Sequence, residues 1–244
     1  MNSTIDLLLS HRSVRKYEDR KIEEDVIRNI ISAARWSATS GHFQAYSIIR
    51  VEDPAKRRAI AKLAGNQQWI VECPLFLVFC ANLKRSKNYW EGIDPDALGN
   101  TEFLLLAAID AALAAQKAFI AAQSFGLGGV YIGGIRNDLV KISDLLELPE
   151  LVSPVFGMCL GYPAENNRQK PRLPMELVLK TDRYSEEGEE QLMAEYNETV
   201  RRYYLERTGE YDQESWSRRC GKAMMAKTRD YIGDFLKKKG FGLR

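Results

Sequence analysis

The chain has 244 residues, 45% of them hydrophobic and 28% charged, with 35 Lys plus Arg against 33 Asp plus Glu for a net charge of +2. That length suits one large domain, or one domain with an appendage, and a core of useful size. Near-neutrality excludes the whole-surface field of a nucleic-acid or anionic-membrane binder, while four cysteines without a C-x-x-C pair and only two histidines argue against a metal site.

The start, Met1 to Leu9, has no basic stretch before an apolar run and no small-residue cleavage site, so it is not read as a signal peptide. Sparse thiols suit a reducing, cytoplasmic compartment. Asp6 to Ser10 is predicted as a short helix, and the chain then turns through His11-Arg12-Ser13-Val14-Arg15. Glu23 to Trp36 places Val26, Ile27, Ile30, Ile31 and Ala34 on one helical face, and Ser37 to Gly41 breaks it. Tyr46 to Val51 is a predicted strand, followed by an Asp53 cap, Pro54 at the first helical position and a helix to about Ala64. Leu75 to Ala81 is unbroken and apolar, as a strand buried on both faces requires.

Thr101 to Phe125 is apolar on nearly every side, which predicts a central helix or one at a subunit interface. Its most apolar stretch, Phe103 to Ala115, is broken by Asp110 and followed by Lys117, so it falls short of the ~20 apolar residues of a membrane span. Gly129 to Ile132 is a short strand running into Gly133-Gly134; Asn137 or Asp138 then caps a helix to Leu148, and Pro154 to Leu160 is another strand. Tyr162 to Pro174 is proline-rich and aperiodic, an extended crossing. Helices at about Glu187 to Arg207 and Ser215 to Lys239 complete the chain. The pattern predicts a layered α+β domain with a mixed sheet flanked by helices, 187–244 forming a carboxyl-terminal helical arm on a single domain.

The usual hydrolase and phosphate-loop motifs are absent. Gly126 to Tyr131 resembles a dinucleotide fingerprint, but it follows a helix and precedes a strand, the wrong context for one. Gly133-Gly134 is either a tight turn or a place where backbone N–H groups approach a ligand with no Cβ in the way. If 11–15 is extended, the side chains of His11, Ser13 and Arg15 share one side and can hold an anion. The alternative is a solvated basic loop with Arg12 and Arg15 paired to carboxylates. In Lys170-Pro171-Arg172-Leu173-Pro174, Pro171 pushes Lys170 toward an extended conformation and aims Lys170 and Arg172 at one face. Two such cationic clips point to a phosphate.

These segments, with Ser37-Ala38-Thr39-Ser40 and Gln44, Ala64-Gly65-Asn66-Gln67 and Gly126 through Asn137, resemble the nitroreductase superfamily over essentially the whole chain. Within it the likeness is to the oxygen-insensitive NADPH nitroreductase and flavin reductase P group. The resemblance implies a homodimer with exchanged arms and an FMN at each subunit interface. It assigns His11, Ser13, Lys170 and Arg172 to the FMN phosphate, with Arg12 beside them, and Arg15 to the flavin N1 and C2 oxygen. Gln67 goes to the ring edge, the backbone of Tyr131, Ile132, Gly133 and Gly134 to the neighbourhood of N5, and Thr39 and Ser40 to a loop lent by the other subunit.

The implied reaction is ping-pong: NADPH or NADH reduces the flavin, leaves, and a nitroaromatic, quinone or flavin takes two electrons. No catalytic side chain is expected, because the chemistry lies on N5. The alternatives are a flavin reductase feeding a monooxygenase and a flavin-binding protein without turnover. Phe43 and Trp69 either border the open flavin face or pack in the core, and Lys84 to Gly99, with Tyr89 and Trp90, is either a pocket-forming excursion or a surface loop. Arg207, after Tyr203-Tyr204, is the implied contact of the nicotinamide-cofactor phosphate. Glu210 and Asp212 stand where the group often carries cations, which implies that NADH is used beside NADPH.

Overall fold

A computed structural model describes residues 2–94, 97–209, 214–226 and 228–242. In chain order the elements are α1 (Ser3–Leu9), α2 (Glu24–Arg35), β1 (Tyr46–Arg50), α3 (Pro54–Leu63), α4 (Trp69–Glu72), β2 (Leu75–Asn82), α5 (Lys84–Tyr89) and α6 (Thr101–Ser124). There follow β3 (Gly128–Ile132), α7 (Leu139–Leu145), β4 (Val152–Gly161), α8 (Met175–Val178), α9 (Glu189–Thr208), α10 (Trp216–Met225) and α11 (Ile232–Lys238). The caps follow sequence chemistry: Asp53 accepts from the Ala55 and Lys56 N–H groups, with Pro54 next, and Asn100 and Asp138 cap α6 and α7.

The chain divides into two compact units, Met1–Asn167 with Arg229–Arg244 and Arg168–Thr228. In the first, the sheet order is β1-β2-β4-β3. All three strand pairings are antiparallel, so the mixed character expected of the sheet is confined to one isolated parallel bridge, Ser13 to Gly129. Helices α3 and α4 separate the paired strands β1 and β2, α7 separates β3 and β4, and the run through α6 carries the chain from β2 past the position of β4 to the edge at β3.

β2 is buried along nearly its whole length, as its unbroken apolar sequence predicts. Leu75, Leu77 and Phe79 pack with Ile30, Ala114, Ala118 and Phe119 from α2 and α6, while Phe76, Val78 and Cys80 pack with Ile60, Ile70 and Ile142 from the helices on the other face. The period of two thus puts alternate residues of one strand into two cores. A third cluster joins Leu83, Leu98, Leu106 and Leu151 to Phe241 near the carboxyl end.

α6 spends its alanines, Ala107, Ala111, Ala114, Ala115, Ala118 and Ala122, on this interior. It also leaves Leu105, Ile109 and Leu113 outward, 54%, 54% and 43% exposed. It is 24 residues long and its most apolar 18-residue window has a mean hydropathy of 1.8, which meets the length and composition of a membrane span despite Asp110 and Lys117, yet 44% of that window is buried in the core.

The predicted helix Ser215 to Lys239 is two helices, α10 and α11. Ahead of α11, Arg229 donates to the Asn137 side chain at 2.8 Å and the Tyr231 hydroxyl donates to the Arg136 carbonyl at 2.7 Å and accepts from the Leu139 N–H at 2.8 Å. In the second unit, Tyr196 and Val200 of α9 are buried, and the Tyr196 ring meets Trp216 edge-on at 5.4 Å.

Candidate active site

The segment after α1 is extended along the free edge of β3. The Val14 N–H donates to the Gly129 carbonyl at 2.9 Å and Val14 is 2% exposed, while His11 and Ser13 are half-buried and Arg15 is exposed. Arg12 lines a separate small cleft of about 170 Å³ with Leu7, Ser10 and Gln123. The His11 ring lies 5.2 Å from Phe119, which stacks on Tyr131 at 5.4 Å. The Asn167 amide donates to the Ser13 carbonyl at 3.0 Å and to Glu165 at 2.7 Å, and Glu165 accepts the Arg15 N–H at 3.1 Å. Burial works to raise the Glu165 carboxyl, but the Arg15 N–H, the Asn167 amide and the nearby Lys16 hold it below the ordinary carboxylate value.

Arg15 places its guanidinium 5.7 Å from the centre of the Trp69 ring. Two residues before Trp69, Gln67 turns its amide onto the Ala64 carbonyl at 2.8 Å. Both groups sit against the end of β3: a methyl added at Gly134 would run into the Ala64 carbonyl oxygen and the Gln67 amide nitrogen. Ile132 is fully buried, and beyond it Gly133 to Asn137 make a 3₁₀ turn. The Trp69 indole N–H is buried without a hydrogen-bond partner among the described residues. Gln67 thus lies against Gly134 just past the end of β3, and Arg15 meets the same segment through Trp69, two residues on from Gln67.

Thr39 and Ser40 open a loop in which Gly41, His42 and Gln44 all have φ between 50° and 61°. For histidine and glutamine that conformation is strained, so something must hold it. Asp110 of α6, wholly buried, accepts the Ser40 N–H at 3.1 Å and the Ala45 N–H at 2.9 Å. In the second unit, Lys170 and Arg172 line one cavity of about 550 Å³ with Tyr196, Tyr204 and Trp216, and Arg172 folds back to donate to the Lys170 carbonyl at 2.7 Å. Arg207 is exposed in the last turn of α9; Glu210 and Asp212 lie outside the described residues.

Residues 8–162 match the family described as "Nitroreductase family" and residues 170–244 match "Nitroreductase family, C-terminal domain". This chain belongs to the nitroreductase family. It is 42% identical to an FMN reductase (NADPH) of Bacillus subtilis over 99% of each chain, and 42% identical to an oxygen-insensitive NADPH nitroreductase of Salmonella typhimurium over 100% of each. It is also similar to the solved NfrA1 nitroreductase of B. subtilis, with a TM-score of 0.96 and 40% identity over 99% of this chain and 100% of that one.

Two residues at this nitroreductase site escaped the sequence reading. Arg229 lies in charged sequence with no periodicity to mark it, yet its guanidinium reaches the Gly133 carbonyl at 3.4 Å. Half-buried Arg136 bonds the Val155 carbonyl at 2.7 Å, its guanidinium pushed down by burial and by Arg229. Asp110 does leave a signal in the sequence, a lone carboxylate inside an apolar run, and in the fold it is a support for the 40–45 loop.

Proposed function

We propose that this nitroreductase binds FMN non-covalently and passes two electrons from NADPH or NADH to nitroaromatics, quinones or free flavin. The observation that carries this reading is the strand end: Gly134 has no room for a Cβ, the Gln67 amide lies against it, and Arg15 stacks on Trp69, two residues on from Gln67. A flat heterocycle needs such a place, with backbone hydrogen-bonding groups accessible along its length and an amide and a permanent cation at its edge. FMN, when bound, supplies a ring that accepts hydride at N5 and stores two electrons. Arg15 favours the negative charge that reduction places near N1 and the C2 oxygen, and Gln67 contacts the ring edge. The buried Trp69 N–H offers a further unmatched donor. His11, Ser13, Lys170 and Arg172 are assigned to the phosphate on the strength of the sequence resemblance. A quinone takes the two electrons and one proton of NAD(P)H together with a proton from solvent, leaving as the hydroquinone.

A homodimer follows from α6. Leu105, Ile109 and Leu113 recur every four residues on its outer face, and leaving such a stripe in water costs ~25 cal/mol per Å². A second copy covers it, and its loop at Thr39 and Ser40 reaches the neighbouring flavin.

The deciding experiment is the visible spectrum of the purified protein, followed by NADPH oxidation against a panel of nitroaromatic, quinone and flavin acceptors. A colourless protein that takes up no added FMN overturns the reading; oxidation that needs free flavin alone selects the flavin reductase. Arg207→Ala should raise KM for NADPH more than for NADH, since its exposed guanidinium is the described cation assigned to the 2′-phosphate. The unaltered protein should use NADH at comparable or modestly lower efficiency. A preference for NADPH beyond about a hundredfold, roughly 2.7 kcal/mol, transfers that role to other cations.

A further inference from the structure

α5 buries only Ser86, so hydrophobic packing does not explain why it is held in place. Charged bonds hold it instead. Lys84 and Lys87 both reach Glu150, at 2.9 and 2.7 Å, and their hydrogen bonds hold the Glu150 carboxyl down to about 2. From the same helix Arg85 reaches into the 39–47 region, donating to the Gln44 carbonyl at 3.2 Å, the Tyr46 carbonyl at 3.4 Å and the Ser47 hydroxyl at 3.3 Å. Trp90, which ends α5, rests on Phe43 with ring centres 5.0 Å apart and planes tilted by 47°.

Phe43 belongs to the strained loop that carries Thr39 and Ser40. Its ring closes over Gly41, where an added Cβ would stand 3.1 Å from the ring tip. The aromatic pair is not core packing, because Phe43 is 36% exposed and Trp90 is only half-buried. Two aromatic faces held rigidly while still open to water form a surface suited to a flat apolar ring. The effort spent holding them, three bonds from Arg85 on one side and two to Asp110 on the other, is preorganisation.

We propose that Trp90 and Phe43 form an aromatic wall that selects planar aromatic electron acceptors, and that Arg85 is a positioning residue that fixes the wall. The inference rests on the flavin reading above, because that reading brings the Thr39–Ser40 loop to the neighbouring flavin, where an acceptor must dock. It assigns 84–90 as a specificity element of that site. A planar quinone gains from stacking there, whereas chromate, a compact oxyanion with no π-face, does not.

The test compares kcat/KM for a naphthoquinone with kcat/KM for chromate in the FMN-loaded holoenzyme. Trp90→Ala should lower the quinone-to-chromate ratio by up to about tenfold, the scale of one aromatic contact, chiefly through a higher quinone KM. Trp90→Phe should restore most of it. Arg85→Ala should shift the ratio the same way through KM, with FMN absorbance per protomer intact, which covers the case in which Trp90→Ala fails to fold. An unchanged ratio in variants that keep their FMN overturns the wall alone. A parent protein that binds no FMN and reduces neither acceptor overturns the flavin reading and the wall with it.

Discussion

The strand end at Gly134 and the loop at 39–45 achieve rigidity in opposite ways. At the strand end the geometry depends on atoms that are missing: Gly134 lies so close to the Ala64 carbonyl and the Gln67 amide that any Cβ collides. In the loop it depends on side chains that are present, with Asp110 bonding Ser40 and Ala45 from one side and Arg85 bonding Gln44 and Tyr46 from the other. A site built on absence accepts one residue type and fails abruptly. A site built on bonds loosens by steps, which suits a surface whose preference among acceptors can drift while the cofactor stays bound.

Asp110→Ala should test this contrast most severely. It strips the acceptor from two backbone N–H groups, one of them at buried Ala45, and should cost about 3 kcal/mol of unfolding free energy, since bonds to a charged group contribute about 1.5 to 3 each. Asp110→Asn keeps one carbonyl acceptor and should lose about half as much. Urea denaturation of both variants reads the steps, and equal losses would break the idea of graded failure.

Gly134→Ala should act on the cofactor instead. Relieving the collision requires backbone movement of the kind that costs ~1–3 kcal/mol, so FMN affinity should fall tenfold or more while the loop and its acceptor preference remain. Wild-type affinity in a fluorescence titration would show that the strand end tolerates what its geometry forbids.

The smallest expected effect is acidic. Glu165 has its folded value held below the ordinary 4.5, so its support of the Arg15 N–H is complete above that value and is lost as pH falls through the lower folded one. FMN affinity should weaken on acidification below about pH 4.5, and Glu165→Gln should flatten that part of the curve; an identical acid limb in the variant removes Glu165 from the site.

Much of the frame was legible because it is local. Runs of β-branched and aromatic residues at 46–51, 75–81, 129–132 and 154–160 marked all four strands to within two residues. Their antiparallel pairing was not, since pairing is a contact between distant segments and leaves no period in either. The break between α10 and α11 was hidden for a similar reason. No proline or glycine announces it, and the bonds that replace helical ones run from Arg229 and Tyr231 to Asn137, Arg136 and Leu139, more than ninety positions away. Among candidate site residues, His11, Ser13 and Arg15 showed in the sequence because an extended pentapeptide has only two sides. Gly134 stands out by its place after a strand and Gln67 by the family likeness, but their mutual contact is visible only in the fold.

The bridge between Ser13 and Gly129 also governs how the molecule behaves toward its neighbours in solution. β3 ends the sheet, and an uncovered edge strand presents a row of N–H and C=O groups ready to template another chain. Residues 13–14 occupy part of that row, with Val14 seated so tightly over Gly128 that an added Cβ there would stand 2.6 Å from its methyl. The stretch proposed to hold a phosphate is therefore also a guard against aggregation, and a substitution that frees it from β3 puts colloidal stability at risk together with cofactor binding.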